Sequence, residues 1–402
     1  MKKTNRLTNK GYFESFFKKI NYSLLLAYLF FLPTQLGKHF FFNFSYLSGV
    51  RVDYLAPTFY LNDLIFLLLL ILNFSVIKIF LRSFKIIFLM ALVNILFSLS
   101  KPVSIYFWLR IFQFLLVFII FKKNKPPTKS LLLVFILNST LLLFLTLNQI
   151  IFSRSLQGFF YFLGERLFSL STPGIAKISF MGKEILRPYA TFSHPNSLAG
   201  FYLLLYFYFL TQKKINQFLF LKYFLLFLSS AMILFSFSKI AIFTFLMLNF
   251  IYIWQNFKKC SLCQISRIFI FLILAIVFFQ GKGDVLTVEK RILLIKNAFL
   301  ILEKTPFFGV GLGNYLIAQN KISSSIYLFF NQPVHNIFLL SLVELGIIGW
   351  FVLIYFLVKK SKKIITANYY LLTTILITGF FDHYWLTLPQ NFFLLAVIFA
   401  LN

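Results

Sequence analysis

Long apolar runs recur along the whole chain, and they constrain its fold more than any other feature. Residues 23–32, 64–72 and 131–147 carry no charged side chain, and similar runs follow towards the C-terminus. Apolar residues make up 60% of the 402 residues and charged residues only 12%. This balance is far from that of soluble globular proteins. Runs of this length and apolarity indicate membrane spans.

The apolar runs also indicate which secondary structure crosses the membrane. Lipid offers no hydrogen-bond partners, so a span must be a helix or belong to a closed barrel. Barrel strands alternate apolar and polar residues, and these runs do not. We therefore predict an all-α fold, a polytopic helical bundle of about 12 transmembrane helices in one integral membrane domain, residues 1–402. The predicted spans are 20–35, 59–77, 84–100, 104–121, 131–152, 196–212, 217–235, 238–255, 266–280, 336–358, 364–380 and 391–402.

Lysine and arginine are unevenly divided between the two sides of this bundle. With the N-terminus inside, the inner connections hold most of them, at 2–19, 78–85, 122–129, 213–222, 258–267 and 359–363. The short outer connections carry only Lys38, Arg51, Lys101 and Lys239. This asymmetry predicts a protein of the cytoplasmic membrane with both termini in the cytoplasm. The net charge of +29 therefore reflects topology and not nucleic-acid binding, since no basic-aromatic module lies outside the membrane.

Two of the predicted external connections are long, residues 153–195 and 281–335. Long connections in a compact protein are often functional. Within the second, residues 288–305 have helical apolar spacing with charges on one side. This pattern predicts an amphipathic helix on the membrane surface, ended by Pro306.

Histidine and arginine side chains collect on this external face. The histidines His39, His194, His335 and His383 all map to the outside or to its membrane edge. Histidine exchanges a proton near neutral pH, although a lone histidine at a helix end is more often only a polar end residue. His335 is distinctive because it opens a span directly after the longer external loop. Arg187 and Arg291, one in each long loop, offer rigid forks of donors suited to phosphate oxygens.

Other polar features have simpler interpretations. The run Gly309 to Gly313 follows a helix and lacks a βαβ context, so it is not a dinucleotide fingerprint. It is either a flexible turn or a place where backbone approaches a ligand closely. Cys260 and Cys263 are half of a zinc spacing without a second pair. Glu344, within a span, is either functional or a cap for the turn before Gly346.

Three sequence blocks together resemble the O-antigen ligase/O-antigen polymerase superfamily of bacterial membrane glycosyltransferases. They are Arg187 to Gly200 (RPYATFSHPNSLAG), Arg291 to Tyr315 (ending TPFFGVGLGNY) and His335 to Gly349 (HNIFLLSLVELGIIG). Weaker similarities are Tyr54 to Asp63, the turn Ser236 to Lys239, and Phe381 to Gln390 (FDHYWLTLPQ). Lys239 is a departure, because many members of this superfamily have arginine there and lysine lacks its bidentate geometry.

The resemblance implies an enzyme that uses a polyprenyl-pyrophosphate-linked glycan donor at the outer face of the cytoplasmic membrane. It would transfer the glycan to a glycan or lipid-linked acceptor, with membrane lipids as surroundings and without a cofactor or metal. His335 would be the catalytic residue that activates the acceptor, and Arg187 and Arg291 would hold the pyrophosphate. Further substrate-binding residues expected from the matching segments are Lys239, His194, Asn196 and Asn336.

Alternatives remain open at this point. Polymerase, ligase and exopolysaccharide enzyme differ in their acceptor. The block from Phe381 to Gln390 slightly favours a polymerase. A lipid-linked glycan flippase or another transporter is the competing class. Transporters tend to show internal repeats and ionisable groups at the membrane midplane. This chain has no evident repeat, and only Arg110 and Glu344 lie near its midplane.

Overall fold

The computed structural model describes residues 9–180, 182–256, 286–322, 331–365 and 368–402. The described residues are mostly helical, as predicted. The predicted span 266–280 and the pair Cys260 and Cys263 lie outside the described residues. The helices are α1 (Asn9–Phe31), α2 (Leu61–Leu72), α3 (Ser75–Ser83), α4 (Lys85–Leu96), α5 (Lys101–Lys123), α6 (Thr128–Phe152), α7 (Pro195–Thr211), α8 (Leu219–Phe235), α9 (Lys239–Gln255), α10 (Leu286–Lys304), α11 (Tyr315–Ile322), α12 (Ile337–Ile365), α13 (Tyr369–Phe381), α14 (Tyr384–Thr387) and α15 (Pro389–Leu401).

Short strands and turns of 3-10 helix lie between the α-helices. The strands are β1 (Gly37–His39), β2 (Tyr46–Leu47), β3 (Val50–Arg51), β4 (Thr58–Tyr60), β5 (Lys177–Phe180) and β6 (Lys183–Leu186). They form antiparallel pairs, β1 with β4, β2 with β3 and β5 with β6. The first two pairs belong to the connection between α1 and α2. The third lies in the long connection between α6 and α7.

Helix length limits how many spans the structure supports. Among the described residues, 4 helical segments are long and apolar enough to cross a membrane: Lys101–Lys123, Thr128–Phe152, Lys213–Phe235 and Ile337–Lys359. A bent pair, α2 with α3, would make a fifth. Several other apolar helices coincide with predicted spans but are shorter than the roughly 20 residues that a bilayer requires. A helical membrane bundle is thus confirmed, and the number of about 12 spans stays a prediction.

The predicted span 59–77 is not one straight helix, and this is a correction. Helix α2 ends at Leu72, and α3 leaves it at an angle of 98°. Asn73 has non-helical dihedral angles at the bend, and its side-chain Nδ2 donates to the Leu69 carbonyl at 2.8 Å. The Asn73 backbone N–H also donates to this carbonyl, at 3.0 Å, so the side chain competes with the regular helical bond at the end of α2. The chain therefore turns where a uniformly apolar pattern had suggested continuity.

Helix α7 occupies the centre of the bundle. All its residues from Pro195 to Leu210 are buried. It packs against α8, α9, α13 and α15. A helix that is apolar on every side is expected to be enclosed by others, and α7 is enclosed in this way. Its N-terminus, which carries His194, therefore opens into the interior of one end of the bundle.

Two hydrogen bonds join helix ends that are distant in sequence. At one end, Thr191 Oγ1 donates to the Pro33 carbonyl at 2.7 Å, joining segments that were both predicted to be outside. At the other end, Gln212 Nε2 donates to Asn402 Oδ1 at 2.9 Å, joining segments predicted to be inside. Each bond thus joins two segments that the sequence analysis places on the same side, and the full topology stays a prediction.

The glycine run packs against a break in α12. This helix is interrupted at Gly346, which has φ of +69°. The Val310 N–H donates to the Val343 carbonyl at 3.1 Å. A Cβ atom added to Gly346 would lie 2.4 Å from the Gly309 nitrogen, so only glycine permits this approach. The run is therefore a backbone-to-backbone contact within the fold, which holds the loop carrying α10 against α12.

Glu344 belongs to the same contact. Its side chain is buried, and its carboxylate faces the backbone N–H groups of Gly313 and Tyr315. Its own carbonyl accepts from the Gly311 N–H at 3.0 Å. Glu344 is thus part of the packing around the glycine run, close to the capping interpretation of the sequence.

Candidate functional site

Residues from distant parts of the chain meet where α7 and α12 begin and α13 ends. His194 precedes α7, His335 lies just before α12, and Asp382 and His383 follow α13. The rings of His335 and His383 have centroids 5.0 Å apart. We call His194, His335, Asp382 and His383 the histidine cluster. It lies at the end of the bundle that the sequence predicts to be outside.

His335 and Asp382 form a charge pair inside the cluster. His335 Nδ1 lies 3.6 Å from Asp382 Oδ1, and the two side chains are 16% and 6% exposed. This distance is that of an ion pair and is too long for a hydrogen bond. The buried Nδ1 atom has no hydrogen-bond partner. Nδ1 therefore faces the carboxylate without bonding to it, and Nε2 is the ring nitrogen on the far side of the imidazole from Nδ1.

Asp382 is fixed in position by two further donors. Asn196 Nδ2 donates to Oδ2 at 2.8 Å, and the His383 backbone N–H donates to Oδ1 at 2.8 Å. Burial alone would raise the pKa of the Asp382 carboxyl, but His335, His383 and His194 together outweigh burial and hold that pKa well below its usual value. The carboxylate is therefore negatively charged at neutral pH and held rigidly beside His335.

The other two histidines of the cluster are kept neutral. Burial lowers the pKa of His383 to about 3 and that of His194 to about 3. His383 Nδ1 lies 2.7 Å from Thr387 Oγ1, and His194 Nδ1 accepts the Asn196 N–H at 3.1 Å. These two rings thus act as neutral, oriented polar groups. His335 remains the histidine of the cluster that is both partly exposed and paired with a carboxylate.

Arg187 reaches the cluster through Asn196. Its Nε donates to the Ser236 carbonyl at 3.0 Å, and one Nη donates to Asn196 Oδ1 at 2.7 Å. Asn196 thus links the guanidinium to Asp382. Burial lowers the pKa of Arg187 to about 10, so the group stays charged at neutral pH. The Ser236 contact also explains why the turn before α9 belongs to the site.

Arg291, on α10, adds a second cation to the same region. Its charge disfavours the protonated forms of both Arg187 and His383, so it lies within electrostatic reach of each. Its buried Nε atom has no hydrogen-bond partner. Two guanidinium groups and one carboxylate leave this part of the site with an excess of positive charge, which favours a bound anion.

The structure does not bring every predicted site residue into this arrangement. Lys239 begins α9 with an exposed side chain, and in the described part of the chain it makes no hydrogen bond or ion pair with the cluster. Asn336 caps α12, because its Oδ1 accepts the N–H groups of Phe338 and Leu339 at 2.9 Å each. Helix capping is therefore the observed role of Asn336, whereas His335 points to Asp382.

Asp382 is the site residue that the sequence analysis missed. Its only signal was its position beside a histidine in the block from Phe381 to Gln390, which was among the weaker similarities. A single carboxylate after an apolar helix has no spacing that identifies it. Its partners, Asn196 and His335, are remote in sequence, so the arrangement depends on tertiary packing.

The cluster also contains a set of side chains that could approach a metal ion. One ligand atom from each of His335, Asp382 and His383 lies within 4.8 Å of the others. Two histidines and a carboxylate are a known ligand set for divalent transition metals. Arg187 and Arg291 oppose this, because two fixed positive charges nearby disfavour a bound cation. The site is better suited to an anion.

No protein-family model matches this chain, and a search of curated proteins gives no match. The resemblance to the O-antigen ligase/O-antigen polymerase superfamily therefore stays a prediction from the sequence blocks.

Proposed function

We propose that this protein transfers or polymerises glycans carried on polyprenyl pyrophosphate, in the manner of the O-antigen ligase and polymerase enzymes it resembles. The reaction would take place at the outer face of the cytoplasmic membrane and serve surface polysaccharide synthesis. The observation that carries the proposal is the meeting of a carboxylate–histidine pair with two arginines at one end of the bundle.

The carboxylate–histidine pair supports general base catalysis. In the proposed step, the acceptor hydroxyl oxygen attacks the anomeric carbon of the donor and gives its proton to His335. The resulting imidazolium is stabilised by Asp382, whose oxygen lies 3.6 Å away. A positioned base of this kind typically contributes roughly 10²–10⁴-fold in rate. Asn196 and the His383 N–H prevent Asp382 from turning away during the reaction.

The arginines support departure of the leaving group. As the new glycosidic bond forms, the bond between the anomeric carbon and the pyrophosphate oxygen breaks, and its electron pair leaves with polyprenyl pyrophosphate. Arg187 and Arg291 would stabilise the negative charge that develops there. Arg187 is already fixed by the Ser236 carbonyl and Asn196, so little reorganisation is required. The N-terminus of α7 adds a favourable dipole towards an anion.

The histidine cluster also bears on the competing transporter hypothesis. A flippase needs a passage for the glycan and no proton acceptor beside the pyrophosphate. Here all the residues of the histidine cluster and both arginines lie at one end of the bundle, and the central helix α7 is buried along its length. This favours chemistry at one face. Polymerase, ligase and exopolysaccharide enzyme remain alternatives within the proposal, since the acceptor distinguishes them.

The experiment that tests the proposed base is single-turnover transfer by purified His335→Gln protein. The donor is the lipid-pyrophosphate glycan extracted from cells that make the protein, and the product is the transferred or lengthened glycan. We expect a loss of roughly 10²–10⁴-fold with donor binding retained. The matched control is His39→Gln, an exposed histidine at the same end whose ring stacks on Phe41. Near-normal transfer by His335→Gln would remove this residue from the mechanism.

A further inference from the structure

A cavity lies at the end of the bundle opposite the histidine cluster. Its volume is about 300 Å³, and it is formed where α1, α2 and the end of α5 meet. The lining residues are Phe17, Lys18, Asn21, Tyr22, Leu72 and Asn124. This volume is at the lower end of the range for small-ligand sites, about 300–1,000 Å³. The mechanism proposed above makes no use of it.

A chain of asparagine side chains builds one wall of the cavity. Asn124 Nδ2 donates to Asn73 Oδ1 at 2.9 Å, and Asn73 Nδ2 donates to Asn21 Oδ1 at 2.8 Å. The direction of these bonds leaves the Nδ2 group of Asn21 as a donor at the cavity. Lys18 adds a cation to the same lining. Among the described residues, no aspartate or glutamate lines the cavity.

Helix α3 extends this surface sideways from the bend at Asn73. Because α3 leaves α2 at 98°, it points away from the axis of α2 and past the mouth of the cavity. Its Val76 and Phe80 are buried, whereas Ile79 and Leu81 are 43% and 51% exposed. Lys78 and Arg82 lie on its polar side. A helix with this division of side chains suits the boundary between headgroups and acyl chains.

The last residue of α5 contributes a further cation next to this helix. Lys123 Nζ donates to Ser75 Oγ at 2.8 Å, at the first residue of α3. Positive charge therefore continues from the cavity lining along the start of α3. Basic groups at the membrane surface attract anionic lipid headgroups, at about 1 kcal/mol for each lysine or arginine.

We propose that this cavity binds the phosphate headgroup of an anionic phospholipid of the phosphatidylglycerol type. Lys18 and the Asn21 amide contact the phosphate, and the acyl chains lie against Phe17 and Leu72. This site is separate from the glycan chemistry and does not depend on it.

The test is lipid binding to the full-length protein in detergent, followed by native mass spectrometry. Phosphatidylglycerol and phosphatidylcholine of identical acyl chains are titrated separately. We expect a preference for phosphatidylglycerol, and we expect the double variant Lys18→Gln/Asn21→Leu to weaken its binding roughly five- to tenfold. Lys18→Arg keeps the charge and should bind as the parent protein does.

The matched control is Lys359→Gln, which removes the same charge from the exposed part of α12. It should leave binding unchanged. The proposal is overturned if the control weakens binding as much as the double variant does, if phosphatidylcholine binds equally well, or if inorganic phosphate at millimolar concentration displaces the lipid. Equal melting temperatures of all variants establish that losses of binding are not losses of fold.

Discussion

Replacing Asp382 with asparagine tests the part of the site that only the tertiary structure shows. Asparagine has nearly the same shape and can still accept a bond from the His383 N–H. It cannot stabilise an imidazolium by charge. Two unit charges about 4 Å apart at an effective dielectric constant of about 20 interact by about 4 kcal/mol, and the observed separation is 3.6 Å. This figure is the upper limit, reached when His335 carries a full positive charge.

The expected effect on rate follows from how far the proton has moved in the transition state. If the proton is half transferred to His335 in the transition state, the loss of the Asp382 charge costs about 2 kcal/mol, which is roughly 30-fold in rate. If the proton is fully transferred, the loss is about 10³-fold. We therefore expect Asp382→Asn to lower single-turnover transfer by roughly 30- to 1,000-fold. Binding of the donor lipid should change little, because the arginines that contact pyrophosphate are unaltered.

The assay uses purified protein with saturating lipid-pyrophosphate glycan, and it follows both released polyprenyl pyrophosphate and the new glycan product. A second variant, Asn196→Asp, places another carboxyl group beside Asp382 and should also slow transfer, since it removes the Nδ2 donor. Normal rates for Asp382→Asn in a folded protein would refute the role of the carboxylate–histidine pair. A parallel loss of donor binding would mean that the site had collapsed.

Three further predictions follow from the same geometry. Arg187→Ala and Arg291→Ala should each lower the rate of single-turnover transfer by orders of magnitude, because a desolvated cation–phosphate contact is worth roughly 2–5 kcal/mol. Arg187→Lys should keep part of the transfer activity that Arg187→Ala loses. Gly346→Ala should destabilise the protein by roughly 1–3 kcal/mol, which a lower melting temperature would show. The control is Gly349→Ala, whose Cβ would lie 3.1 Å from one side-chain atom, and it should change the melting temperature little. The melting temperature should also fall from pH 7 to pH 5, because the unfolded chain binds protons at His194 and His383, whose pKa values are lowered to about 3 in the folded protein. Each group contributes a slope of up to about 1.4 kcal/mol per pH unit, and His383→Gln should remove about half of the pH dependence.

The helices of this protein were largely predictable from sequence because their signal is local. Uniform apolar runs of sufficient length predict helical spans, and the amphipathic segment 288–305 corresponds closely to α10, Leu286–Lys304. The bend at Asn73 was not predictable in the same way. It depends on bonds from one amide to Asn21 and Leu69, and the first of these partners lies in another helix. A hydropathy pattern carries no information about such a contact.

The candidate site was predictable only in part. The sequence blocks drew attention to Arg187, Arg291 and His335, which do lie near one another. Asp382 could not be singled out, because its significance comes from 3.6 Å proximity to His335. Asn336 shows the converse, since its place beside His335 suggested substrate binding while its Oδ1 is used in capping α12. Neighbours in sequence thus have different roles when one faces the site and the other faces its own helix.

The most direct test of the proposed function is to supply purified protein in detergent with its lipid-pyrophosphate glycan, where there is no membrane barrier to cross. An enzyme forms new glycosidic bonds under these conditions, and a transporter does not. We predict transferred or lengthened glycan, equimolar release of polyprenyl pyrophosphate, and loss of both with His335→Gln. The absence of any covalent product from folded protein, together with movement of the intact donor across reconstituted vesicles, would contradict the account and identify a transporter.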